Sequence, residues 1–211
     1  QRIVRANDWV EHELPRVHLG RTSAGNTWRF RSDLPDELVA DLEALCREEP
    51  VCDEPARQPK MLDALRDLLA AHAEIKDCSH GPTYWLPPQV HLGDGGMRID
   101  ETRAAVLQGE LAAWRPDIPH EQPFCVALND GVAASVCASV RKGLGAHEAG
   151  VETKTTHRRR GFAHQALSAW AREVRGLKLH ALYSTSWENL ASQRLATKLG
   201  FVCYGAETSL R

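Results

Sequence analysis

The chain has 211 residues, 43% of them hydrophobic and 26% charged, with 26 Lys and Arg against 28 Asp and Glu. That is the composition of one large folded domain or two small ones, long enough to bury a sizeable core. A net charge of −2 argues against a general nucleic-acid binder; no run approaches the roughly 20 apolar residues a membrane helix needs, and no secretory signal is legible.

In chain order, residues 1–15 have mixed polarity and read as an extended arm or a short helix. RVHLGRTSAGNTWRFR predicts two short strands around a Ser-Ala-Gly-Asn turn. PDELVADLEALCR, residues 35–47, predicts a helix with Asp33 as N-cap, acids in its first turn and a stripe of Leu38, Leu42 and Leu45. A Pro- and Glu-rich loop precedes a second helix, residues 61–75, with Leu62, Leu65, Leu68 and Leu69 on one side. HGPTYWLPPQVHLGDGG reads as a strand, a proline break, another short strand and a tight turn, after which Asp100 and Thr102 open a helix reaching about Trp114.

Beyond residue 115 the pattern changes. PFCVALNDGVAASVCASV is two apolar strands joined at Asn129-Asp130-Gly131, a hairpin signal. EAGVETK is a further strand, GFAHQALSAWAREVRG a helix closed at Gly176, LKLHALYSTS a strand, NLASQRLATKLG a helix closed at Gly200, and FVCYGAET a last strand. The second half thus runs β-β-β-α-β-α-β, an α/β layer order. A division into 1–115 and 116–211 is expected. Charge divides similarly: residues 1–100 carry 12 Lys and Arg against 18 acids, a net of −6, and residues 101–211 carry 14 against 10, a net of +4. An anionic ligand is better received by the second half. The six cysteines (46, 52, 78, 125, 137 and 203) form no CxxC and no zinc spacing, which points to free thiols in a reducing, cytoplasmic compartment without a metal.

The most informative stretch is THRRRGFAHQAL. A strand, a donor-rich loop and a helix N-terminus together make an anion site. Gly161 lets the backbone approach a phosphate, Ala163 is small, and Arg158, Arg159 and Arg160 bring charge and bidentate geometry. By composition alone the arginines read more readily as a solvated surface. No Walker or GxGxxG motif is present.

Arg158-Arg159-Arg160-Gly161-Phe162-Ala163 resembles the R/Q-x-x-G-x-G/A loop of the GCN5-related N-acetyltransferases, the GNAT superfamily. GVET before it resembles that family's fourth core strand. NLASQRLATKLGF, residues 189–201, resembles its N-x-x-A/S…L-G-F helix and strand. Residues 124–205 follow the family order. The resemblance implies a GNAT-like mixed, mostly antiparallel sheet flanked by helices, preceded by an additional N-terminal α/β subdomain (1–115) and forming an acetyl-CoA-binding core over 116–211. It implies that the amides from Arg158 to Ala163 hold the diphosphate of acetyl-CoA. Val151 and Thr153 would line the pantetheine arm beside Asn189 and Ser192, although Asn189 also reads as a helix N-cap. The reaction implied is acetyl transfer to a primary amine, expected of a small molecule.

Glu152, pointed by strand alternation away from Val151 and Thr153, is the expected base, with Glu148 in reserve. The family's acid, a Tyr seven residues after the helix Asn, is replaced by Ala196, so Ser186 is the expected substitute. A non-catalytic acyl-CoA-binding module is the alternative that this missing Tyr keeps open. No nucleic-acid or membrane partner is expected, and self-association as a homodimer is left open.

Overall fold

The computed structural model describes residues 1–9 and 13–211. Part of the expected N-terminal arm, residues 10–12, lies outside the described residues. The elements are β1 (Arg2–Ile3), β2 (Val17–Thr22), β3 (Gly25–Arg31), α1 (Asp36–Glu48), α2 (Leu62–His72), β4 (Cys78–Trp85), β5 (Met97–Ile99), β6 (Phe124–Asn129), β7 (Val132–Lys142), β8 (Ala146–Thr153), α3 (Phe162–Gly176), β9 (His180–Ser184), α4 (Leu190–Leu199) and β10 (Val202–Leu210).

All ten strands form one sheet, in the order β1-β3-β2-β10-β4-β9-β8-β7-β6-β5. It is mixed and mostly antiparallel, as expected: among the described residues, only β1–β3 and β8–β9 run parallel. The order of the middle is not legible in the chain order. β4 comes from the first half, yet it lies between β9 and β10 and pairs antiparallel with both.

Strand alternation sets what each face carries. Cys78 of β4 packs with the cluster of Leu42, Leu65 and Leu69 from α1 and α2, whereas Tyr84 of the same face joins Ala166, Trp170 and Leu199 from α3 and α4. All four α-helices therefore cover one side of the sheet. On the other side, a third cluster gathers Leu107, Leu111 and Ile118 against Phe124, Val126 and Val136. Beyond that cluster, across β8, β9, β4, β10 and β2, this face carries no α-helix among the described residues.

Several local expectations are corrected. The helix expected over 100–114 is two 3-10 segments, Glu101–Val106 and Gly109–Asp117, separated by Leu107 and Gln108 and followed by Gly109 at φ +61°. Asp100 does cap the first, accepting from Thr102 N at 3.0 Å. Asp33 does not cap α1; its carboxylate pairs with Arg31 Nε at 2.7 Å. The short strand expected after the proline break is irregular chain, and the strand in that region is Met97–Ile99.

Candidate active site

The opening that the site needs comes from one register. β8 and β9 pair only at Ala146–His180, His147–Ala181 and Glu148–Leu182. Past Glu148 they part, and five residues of β8, Ala149 to Thr153, run on without a β9 partner. On its other edge β8 stays paired with β7. Lys154 N donates to Ala134 O at 3.0 Å, one step beyond the Thr153–Ser135 pair. In an antiparallel ladder this makes Glu152 the residue bonded to β7 and turns the main-chain groups of Val151 and Thr153 into the opening. The Val151 side chain packs against the core under α3, and Thr153 Oγ1 shares a 2.8 Å hydrogen bond with Ser135 Oγ.

At the wide end of the opening stands the arginine loop. A 3-10 turn, Thr155–His157, leads into it, and the carboxylate of Glu110 holds Thr155 through N (2.9 Å) and Oγ1 (2.8 Å). Arg158, Arg159, Arg160 and Gly161 are exposed. Arg159 (φ +61°) and Gly161 (φ +89°) are both left-handed, a backbone pattern that turns successive N–H groups toward one side. Among the described residues, no main-chain acceptor takes the N–H of Arg159, Arg160 or Gly161. The first-turn N–H groups of α3, from Phe162 and Ala163 on, are unpaired by helix geometry. Phe162 anchors the loop: its ring packs on the core, with His157 edge-on at 5.5 Å and the Arg160 guanidinium 5.4 Å above it.

Asn189 is the N-cap of α4. Its Oδ1 accepts from Ser192 N at 3.1 Å, and it is exposed. Ser192 Oγ and Tyr183 OH lie 2.6 Å apart, so the Ser192 side chain is tied to the sheet. Ser186 is exposed; its carbonyl accepts from Asn189 N at 3.2 Å and Gln193 Nε2 at 3.1 Å. No contact joins Ser186 to Glu152. Ala196 is fully buried in the core, so that position presents no side-chain oxygen to the site.

Glu152 stands on the face opposite Val151 and Thr153, where its Oε2 accepts from the indole Nε1 of Trp114. Trp28 packs with the α1–α2 cluster, Trp114 with Phe124, and Trp85 edge-on to His180. Trp187 lies beside His80, with ring centroids 6.1 Å apart.

Sequence reasoning missed a polar cluster on the helix-free face, at the closed end of the opening. Glu148 pairs with Arg141 at 2.7 Å and also accepts from Ser184 Oγ. A second carboxylate, Glu207 on β10, lies on the same face close enough to feel Ser184, Glu148 and Arg141. Burial pushes the Glu207 carboxyl above its ordinary range and Glu148 adds to this, while Arg141 and the Ser184 hydroxyl pull it back. A bulge between Cys203 and Gly205 leaves Tyr204 out of register; it is 40% exposed, and burial first, then the Glu207 and Glu148 charges, push its phenol up while Thr83 pulls it back. In the sequence Glu207 is a single acid in a strand of small and apolar residues, and no spacing ties it to Glu148, 59 positions away. Among the described residues, no cluster of three or more His, Cys, Asp or Glu suits a metal ion, and no helix is long and apolar enough to cross a membrane.

Residues 124–206 match the family model described as GNAT acetyltransferase. Among solved structures, the chain is similar to a GCN5-related N-acetyltransferase-like protein from Streptococcus suis 89/1591, at 16% identity and TM-score 0.56 over 99% of this chain and 89% of that one. It is also similar to a putative acetyltransferase of the GNAT family from Novosphingobium aromaticivorans, at 18% identity and TM-score 0.52 over 65% of this chain. Of that protein's own length the chain spans 66%, just under two thirds. A GNAT-family acetyltransferase from Colwellia psychrerythraea aligns at 13% identity and TM-score 0.53 over 87% of this chain and 75% of that one. Among curated proteins none matches.

Proposed function

From the match of residues 124–206 to the GNAT acetyltransferase family model, we infer that this protein moves an acetyl group from acetyl-CoA to a primary amine of a small molecule. The observation that carries the reading is the opening between β8 and β9, ending in a loop whose N–H groups lack protein acceptors. The residues fit an acyl-CoA. The N–H groups of Arg159 to Ala163, backed by the α3 dipole and the three arginines, suit a diphosphate. The main-chain groups of Val151 and Thr153 suit the amide-bearing arm that follows, as the exposed edge of a sheet suits an added strand. In this reading Asn189 contributes its amide N–H while its oxygen caps α4, and Ser192 contributes close packing. Bound there, the acetyl thioester supplies an activated acyl carbon.

The chain's own groups then have three tasks: to hold the acyl carbon in place, to donate an amide N–H from β8 toward the carbonyl oxygen, and to take a proton from the amine. Carboxylates for the last task stand on the helix-free face. Direct attack by the amine in a ternary complex accords with entry of the two substrates from opposite sides of the sheet. A thiol leaving group, with an ordinary pKa of about 8.5, departs without a dedicated acid, which accommodates the buried Ala196 and the outward Ser186. One observation favours a second reading, a non-catalytic acyl-CoA-binding module: the family's Tyr position holds Ala196.

Calorimetry with acetyl-CoA, followed by thiol release with a panel of primary amines (an amino acid, a polyamine, an aminoglycoside and a lysyl peptide), separates the two. Binding with turnover supports the transferase, binding without turnover supports the module, and absence of binding overturns both.

A further inference from the structure

We propose that Glu207 takes the proton from the acceptor amine, which reaches it as a cation from the helix-free face. The proposal rests on the acetyl-transfer reading above and names the base and the entry side within it. Three carboxylates occupy this face near the parting of β8 and β9, and two are engaged. Glu152 is held by the Trp114 indole, and Glu148 by Arg141 and Ser184. Glu207 is partly buried, and the nearby Ser184 hydroxyl is given to Glu148.

Register leaves Glu207 with no side chain directly opposite it on either neighbouring strand: its Cα partners are Gly20 of β2 and Gly81 of β4. Thr27 Oγ1 comes within 3.0 Å of where a Gly20 Cβ would stand. Gly81 is required for a further reason: a Cβ there would lie 1.8 Å from the carbonyl oxygen of Thr185, so the β9–α4 connection crosses close by. The bulged Tyr204 adds an exposed aromatic surface near both carboxylates, which suits a positively charged nitrogen. The charged and titratable groups around Glu207 are Arg141 from β7, Glu148 from β8 and Tyr204 from β10. His18 of β2 lies beyond, held on Ser209 at 3.0 Å. Burial and the Glu148 charge make Glu207 a stronger base than a solvated glutamate.

In the step, an ammonium proton passes to a Glu207 oxygen. The freed nitrogen lone pair forms the C–N bond to the thioester carbonyl carbon, and the C–S bond breaks. The sulfur leaves as thiolate and takes up the second amine proton, so amine and acyl thioester become amide and thiol.

The test compares wild type with Glu207→Gln, which keeps the shape of the side chain. Calorimetry with acetyl-CoA reads the cofactor side, thiol release with the amine panel at pH 5–9 reads the reaction, and carbon NMR of labelled glutamate carboxyls reads the titration. The proposal expects acetyl-CoA affinity within about twofold and a rate loss of roughly 10²–10⁴-fold. It also expects loss both of the acidic limb of the pH profile and of one carboxyl titrating above the ordinary range. Glu207→Asp, which keeps the carboxylate but withdraws it, guards against a folding defect: it should retain the limb at reduced rate. Equal turnover by wild type and Glu207→Gln overturns this inference and leaves the transferase reading standing. Failure to bind acetyl-CoA, or to acetylate any amine, overturns that reading and this inference with it.

Discussion

The indole Nε1 of Trp114 donates to Oε2 of Glu152, linking the 3-10 segment before the central hairpin to the strand beside the cofactor opening. The carboxylate that strand alternation singles out is thus part of the packing between these elements. Glu152→Gln keeps an oxygen for the indole, so its rate should fall less than tenfold, far less than expected for loss of a general base. Steady-state thiol release with an accepted amine checks this.

Gly161 adopts φ +89° as the residue before α3, with open space where a Cβ would be. Backbone conformation, not crowding, is therefore what a side chain would disturb there. Gly161→Val should cost about 1–2 kcal/mol of local strain and turn the loop N–H groups away from a diphosphate. The expected outcome is a loss of acetyl-CoA affinity of at least tenfold by calorimetry, with the fold retained by circular dichroism.

At the start of α4 the two side chains expected near the cofactor already have partners. Asn189 caps the helix and Ser192 bonds Tyr183. Asn189→Ala should lower stability by roughly 0.5–2 kcal/mol. Ser192→Ala should cost about 1 kcal/mol while leaving acetyl-CoA affinity within twofold. Denaturant unfolding and calorimetry read the two effects separately.

Glu121 is 8% exposed, and burial, with help from Asp117, pushes its carboxyl up to about 7 from 4.5. The folded state therefore binds this proton more tightly than the unfolded chain. The stabilisation is complete below about pH 4.5 and is lost as pH rises through about 7, a contribution on the order of 1–3 kcal/mol. Thermal unfolding at pH 5 and pH 8 should show a larger drop for wild type than for Glu121→Gln. Equal drops would refute the assignment.

How much of this was readable beforehand follows from the range of each interaction. The arginine loop, the hairpin at Asn129-Asp130-Gly131 and the caps at Asn189 and Gly200 rest on contacts within a few residues, and the sequence displays them directly. The helix expected over 100–114 failed because Gly109 and Pro116 break it into tight turns held by packing of Leu107 and Leu111 against the sheet. The Asp33 cap failed because Arg31, two residues away, offered a closer partner.

The sequence by itself determined the strand and helix order of the second half, the donor-rich loop and the family resemblance, since these are written in local spacing. The tertiary structure alone decided that β4 inserts between β9 and β10, that all four helices share one face, and that Glu148, Ser184 and Glu207 converge on the other. Strand pairing is chosen by burial and register across the whole sheet, so residues far apart in the chain become neighbours with no trace in their spacing.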